Sequence, residues 1–269
     1  MGLFDKFKKK RNEENYEDEK SGAGGFIGFV LLPEYKFNWQ NLWTTLREDW
    51  QIEPEDSEKE SDEDRHVISY NGCTILLALM DMPVPNNEAE ENASYNYLWK
   101  EAVEKTKEHK AQLIVSVLGM GVPAMERGKL FVQVAQACCK QEDVIGIYTN
   151  GVVYEPRFYV EAADMLKTAE LPILNLVWFG IYQTKKGVGG YTMGLNSFGK
   201  DEIEVLDTPV TPKEMSEFLM DLAVYVLDED VILRDGETIG FSAEQKLPIK
   251  RSKGVAVEGM SLKIEYGKA

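Results

Sequence analysis

The stretch VISYNGCTILLALMDM (residues 67–82), continued by ENASYNYLWKEAVEKTKEHK (91–110) and AQLIVSVLGMG (111–121), decides how this chain is read. Asn71-Gly72 between two apolar runs predicts a two-residue hairpin, because a type I′ turn needs positive φ at both central positions. The hairpin strands are expected at 67–70 and 73–80. Residues 91–110 carry helical spacing, with Tyr95, Leu98, Trp99, Ala102 and Val103 on one stripe. Residues 112–118 then read as a buried strand.

Upstream, the apolar run FIGFVLLP predicts a first strand, and FNWQNLWTTLREDW (37–50) a helix with Trp39, Leu42, Trp43 and Leu46 near one face. Three tryptophans there could form a binding surface, but core packing is the stronger account. The resulting order, strand-helix-strand-strand-helix-strand, is that of a ferredoxin-like unit. The second half repeats that order. Strands are expected at 143–148, 171–183 and 190–196, with helices at 156–167 and 211–227. In the last helix Thr211 and Glu214 form a capping box around Pro212. Short strands around Asp235-Gly236 and a closing pair at 245–266 complete it. The expected class is α+β: two pseudo-repeated ferredoxin-like (βαββαβ) units packed as one globular domain. Their bounds are 26–121 and 143–266, joined by a helix within 122–142. Residues 1–25, MGLFDKFKKKR and onward, are expected to form a disordered charged tail.

Composition excludes more than it selects. The 269 residues carry 46 acidic against 30 basic side chains, a formal charge of −16, which argues against nucleic-acid binding and permits a basic protein partner. Three cysteines make no disulfide framework and fit a reducing, cytoplasmic setting. With two histidines and no CxxC or HExxH pattern, no metal site and no cofactor are expected. No stretch is apolar and long enough to span a membrane. Leu3, Phe4 and Phe7 beside five basic residues give the tail, at most, weak peripheral membrane contact. Gly119-Met120-Gly121 imitates a dinucleotide loop. The third glycine is missing, and Leu130 stands where a phosphate loop needs Ser or Thr.

Two candidate surfaces remain. The first is the acidic run at 53–65, offering Glu53, Glu55, Asp56, Glu58, Glu60, Asp62, Glu63 and Asp64 to a basic partner; a solvated loop is its plainer account. It lacks the glycine of a calcium loop. The second is a polar-aromatic set, His109, Arg157, Tyr159, Trp178 and Tyr182, suited to a ligand in a pocket between the two units. A capping or helix-end role is the stronger account of His109, and a buried pairing with one of the many carboxylates is at least as good an account of Arg157. No catalytic residues stand out, and binding is favoured over enzymatic work.

The runs FIGFVLL, EHKAQLIVSVLG, IYTNGVVYEPRFY, LPILNLVWFGIY and GETIGFSAEQKLPI, spread over 26–266, resemble a bacterial family known as domain of unknown function 4261. Many of its members carry a second histidine just after the central His-Lys-Ala, where this chain has Gln112, so the resemblance implies no metal site here. The family has no settled activity. Its company of secreted bacterial toxins implies, by association alone, an immunity or interaction role; the acidic charge makes a basic toxin the expected partner.

Overall fold

The computed structural model describes residues 25–53, 62–240, 242 and 245–267. Two six-stranded sheets share one hydrophobic core. The first is wholly antiparallel. It contains β1 (Phe26–Leu32), β2 (Arg65–Tyr70), β3 (Cys73–Met80), β4 (Ala111–Leu118), β5 (Gly146–Thr149) and β6 (Val152–Tyr154), in the order β2-β3-β4-β1-β5-β6. The hairpin forms as expected, with Asn71 at φ 48° and Gly72 at φ 76°.

This order corrects the ferredoxin-like expectation. In a split βαβ sheet the first strand lies between the third and fourth. Here β4 pairs directly and antiparallel with β3 along Thr74–Met80 and Leu118–Gln112, and β1 lies outside it. The sheet also runs on past residue 142 into β5 and β6. Element order is a local property, whereas the neighbour a strand chooses is decided by long-range packing.

The second sheet contains β7 (Trp178–Gln183), β8 (Val188–Met193), β9 (Glu202–Thr208), β10 (Thr238–Ile239), β11 (Leu247–Lys253) and β12 (Met260–Ile264), in the order β10-β11-β12-β9-β8-β7. Its β9–β12 pair is parallel. Strand β9 is absent from the expected elements. Its alternate positions Glu202 and Glu204 carry carboxylates where a buried strand ordinarily shows apolar side chains, yet both are buried.

Seven helices are present among the described residues. The first, α1 (Trp39–Trp50), buries Leu42 and Leu46, with Asn38 capping its start through the Asn41 amide. Trp39 and Trp43 lie against the core and flank His66, at ring distances of 4.3 and 5.3 Å. Core packing thus accounts for both. The expected helix at 91–110 is instead two short ones, α2 (Glu88–Ala93) and α3 (Ala102–Thr106). Asn96 breaks it. Its side-chain oxygen accepts from the Leu98 and Trp99 amides at 2.8 and 3.1 Å, substituting for the helical carbonyl and leaving Tyr95 and Leu98 exposed.

Helix α4 (Ala124–Cys139) is the centre of the core. It packs on β1 and β4 from one side and meets α1, α5 (Pro156–Ala163) and α6 (Ile173–Leu176) from the others. Gly128 lets it approach: a Cβ there would stand 3.1 Å from both Phe26 and Phe198 rings. Phe26 meets Phe198 edge-on at 5.0 Å, tying the first strand to the turn before β9. Side chains such as Leu77, Leu113 and Phe131 are fully enclosed, each contributing about 1.5–3 kcal/mol of burial. Helix α7 (Pro212–Asp228) has the expected capping box and lays Met215, Phe218, Leu219 and Leu222 on the second sheet.

The turn between α2 and α3 also seals the sheets. Strands β6 and β7 are the outer strands of their sheets. The Asn96 amide donates to the Val153 carbonyl of β6 at 2.8 Å, and the Tyr97 hydroxyl donates to the Phe179 carbonyl of β7 at 2.9 Å. Adjacent residues thus occupy acceptors on both edges.

Candidate functional site

The expected ligand set is not gathered in one place. His109 is enclosed below the loop after β3: its Nε2 accepts from the Val84 amide at 3.0 Å, and its Nδ1 donates to the Thr106 carbonyl at 2.5 Å. Those partners assign the proton to Nδ1 and leave neither nitrogen for a ligand. Arg157 lies on the surface, its Nε 2.8 Å from Glu161 one turn on. Tyr159 and Trp178 are buried, both edge-on to Tyr154 with centroids 5.8 Å away. Tyr182 alone reaches a cleft, a shallow one of about 430 Å³ that it shares with Tyr97, Pro212 and Lys213.

A larger cleft of about 560 Å³ opens between the hairpin tip, α4 and the end of α7. Tyr70, Cys73, Glu126, Lys129, Glu170 and Asp228 line it. Burial raises the Cys73 thiol above its ordinary value, more than the nearby Arg127 lowers it, so it is not held as a thiolate. Lys129 and Glu126 are 3.4 Å apart and occupy one another. No histidine lies among these side chains. Among the described residues no group of three His, Cys, Asp or Glu side chains could hold a metal ion, and no helix is long and apolar enough to cross a membrane.

The second sheet contains a buried charge cluster that the reading of the sequence missed. Glu204 is wholly enclosed. It accepts from the Val255 and Ala256 amides at 3.0 and 2.6 Å, from Lys263 Nζ at 2.7 Å and from the Ser261 hydroxyl. Burial alone would raise its carboxyl, but Lys263, Ser261 and the two amides outweigh it and hold the group below the ordinary carboxylate value. Glu202, two residues earlier, accepts from Thr192 Oγ1 and the Gly194 and Asn196 amides at 2.7, 2.8 and 3.1 Å. Among the described residues no cation pairs with it, and burial raises its carboxyl despite those bonds. Every oxygen of the pair is engaged by the fold. These carboxylates brace turns.

The first sheet presents a different kind of surface. Its inner face (Val30, Leu32, Ile75, Leu77, Leu113, Val115) is buried beneath α4 and α1. On the opposite face the register aligns Val67, Leu76, Ser116 and Ile27 in one row and Arg65, Ala78, Ile114 and Phe29 in the next. Among the described residues, helices α2 and α3 cover the β6 end of this face and reach Tyr148 of β5 and Leu31 and Phe29 of β1. Ile27 remains 47% and Leu118 40% exposed, and Val67, Leu76, Ala78 and Ile114 are half-buried. An antiparallel sheet facing water ordinarily alternates apolar with polar; here the outward face is mixed, with Leu76, Ala78, Ile114 and Ile27 set among Arg65, Ser69, Thr74 and Ser116.

Acidic residues border the β2 end of this open face. Asp62 and Glu63 are exposed and Asp64 half-buried immediately before β2, and Asp81 follows β3. Together Asp64, Asp81 and Asp62 push the Tyr35 phenol up to about 12, foremost through its hydrogen bond to Asp64. Asp62 pairs with Arg65 at 3.3 Å. Glu53 is exposed just past α1. Glu55, Asp56, Glu58 and Glu60 lie outside the described residues, as does the N-terminal tail.

Residues 191–265 match the family model for the Domain of unknown function (DUF4261), which bears out the resemblance to that family over this segment. No curated protein and no solved structure matches the chain. The matched segment holds β9, β12 and the Glu204–Lys263 cluster, but none of the open face on the first sheet.

Proposed function

We propose that this chain, whose second sheet carries the DUF4261 match, is a non-enzymatic cytoplasmic protein-binding module that takes a basic, amphipathic partner on the open face of its first sheet. One observation carries the reading: among the described residues, Leu76 and Ile114 are only half-buried and Ile27 is exposed on the outward face of the first sheet, whose β2 end Asp62, Glu63 and Asp64 border. Apolar contact supplies most of an interface's affinity at a few central residues. The acidic border, with the net charge of −16, speeds encounter with a cationic protein. An immunity protein that neutralises a basic toxin is the specific form this takes, supported by the toxin-associated company of the resembled family. The ligand-pocket alternative has less support, because His109 and Arg157 lie outside both clefts.

The test is capture from the native host by the tagged chain, compared with Leu76→Asp and Ile114→Asp variants. Both substituted positions face outward but are half-buried, so each variant should unfold at a lower temperature yet keep the native circular dichroism spectrum while losing the partner at least tenfold, the scale of a central interface residue. Reversing Asp62 and Glu63 should slow association at low salt and leave dissociation unchanged. A partner retained equally by both face variants would move the interface elsewhere.

A further inference from the structure

We propose that the outer edge of β7 binds an extended, acidic segment of a partner protein, which adds a strand to the second sheet at Ile181 and Gln183 and sets a carboxylate against Lys213. The site is separate from the open face of the first sheet and does not rest on the reading of that face.

Strand β7 ends its sheet, and its hydrogen bonds show which backbone groups are left on the outside. In an antiparallel pair, successive residues turn their N–H and C=O groups alternately toward the partner strand and away from it. The Phe179 carbonyl is turned away from β8, since it accepts from the Tyr97 hydroxyl at 2.9 Å. The Thr184 amide is turned toward β8, since it donates to the Gly187 carbonyl across the hairpin at 2.9 Å. Both bonds fix the same phase. Gly180 and Tyr182 therefore bond to β8, and Ile181 and Gln183 present their N–H and C=O outward. The Tyr97 seal stops at Phe179. Among the described residues neither Ile181 nor Gln183 has a further backbone partner on that side.

The strand itself is also unguarded. Edges that must not pair carry lysine, proline or a bulge, whereas WFGIYQ has no charge and no proline and pairs with β8 in unbroken register. This stretch opens on the cleft of about 430 Å³, where Tyr97, Tyr182, Pro212, Lys213 and Ser216 surround Ile181 and Gln183. A strand added there turns alternate side chains into the cleft and leaves the others in water. Charge selects the segment. Lys185 and Lys186 in the turn after β7, and Lys213 at the start of α7, are all exposed. Lys186 and Lys213 stand 3.9 and 3.6 Å from Asp207 and Glu217 in exposed pairs, which hold little energy in water. Glu214 is bonded to its own cap at Thr211. In a chain of net charge −16, this edge is thus where an acidic segment meets cations.

A display library of random linear peptides of about eight residues, selected on the full-length chain, supplies the probes. Enrichment of alternating β-branched or aromatic residues with an Asp or Glu is expected. With a selected peptide bound, amide exchange followed residue by residue should slow at Ile181 and Gln183 and stay unchanged at Gly180 and Tyr182, which already pair with β8. Gln183→Pro removes an outward donor and no ladder bond from an exposed position, and should weaken the peptide about tenfold. Lys213→Glu should weaken it roughly threefold at low salt, and Leu76→Asp on the other sheet should leave it unaffected. If Gln183→Pro does not fold, the exchange pattern and Lys213→Glu decide. A library without binders, or peptides that leave both outward amides unprotected or bind Gln183→Pro as well as wild type, would overturn the proposal. So would protection of Ile181 and Gln183 that appears with rising chain concentration and no peptide, which would assign the edge to a second copy.

Discussion

Replacing Glu204 with glutamine isolates the electrostatic part of the second sheet's bracing. The glutamine oxygen can still accept from Val255 and Ala256, but its amide then directs N–H groups toward Lys263 and Ser261, where the carboxylate oxygen had accepted. Lys263 keeps the Lys253 carbonyl at 2.7 Å and the Ser252 carbonyl at 3.3 Å, so its charge is not wholly stranded. Breaking a buried ion pair costs about 3–5 kcal/mol, and these remaining acceptors place the change at about 3. At about 2–4 °C per kcal/mol for a chain of this size, the unfolding temperature should fall by roughly 6–12 °C at pH 7. The pH dependence has a definite sign. The Glu204 carboxyl is held below its unfolded value of about 4.3, so its stabilisation is fully present above that value and is lost as pH falls through the folded one. The gap between wild type and Glu204→Gln should therefore close in acid. Glu202 is shifted upward, so its contribution is present below the unfolded value and lost as pH rises through the folded one. Glu202→Gln should accordingly cost less than Glu204→Gln at pH 7. Thermal unfolding of the three proteins from pH 3 to 8 checks both. A Glu204→Gln penalty below about 1 kcal/mol, within the range of an exposed pair, or one unchanged by acid, would refute the argument.

Two other outcomes follow from enclosed groups. His109→Phe fills similar space but strands the Val84 amide, so urea unfolding should report a loss of about 1–3 kcal/mol; an unaltered midpoint would mean that amide reaches water. Cys138 and Cys139 are buried within α4, and burial raises both thiols. With Cys73 also enclosed, a thiol reagent should label the native chain slowly and all three cysteines at once on unfolding. Rapid labelling of Cys73 in the native chain would show that the hairpin cleft opens.

The parts of the fold that were legible beforehand depend on neighbours in sequence. Asn71-Gly72 sets its turn by its own φ angles, and Thr211 and Glu214 close a capping box three residues apart. Residues 91–110 misled because an apolar stripe at helical spacing says nothing of Asn96, whose amide is committed to a carbonyl 57 positions away. β9 went unseen because its buried carboxylates are neutralised or bonded by residues as distant as Lys263. The acidic border of the candidate site was visible as composition. The open face was not, since Thr74, Leu76, Ala78 and Met80 read like one side of a strand buried on both sides. Only the arrangement of helices shows which side is the less covered among the described residues.

The paired seal at Asn96 and Tyr97 has a consequence for the growing polypeptide. During synthesis, this turn emerges before either edge it will close, with Val153 and Phe179 following 57 and 82 residues behind. Until those strands arrive, Asn96 and Tyr97 have no edge to serve, and until Val153 is made the first sheet lacks its last two strands. At about 5–20 residues per second the wait for Phe179 is several seconds. The interval in which this chain is most vulnerable to association with its neighbours is therefore written into the distance between one short turn and the two strands it guards.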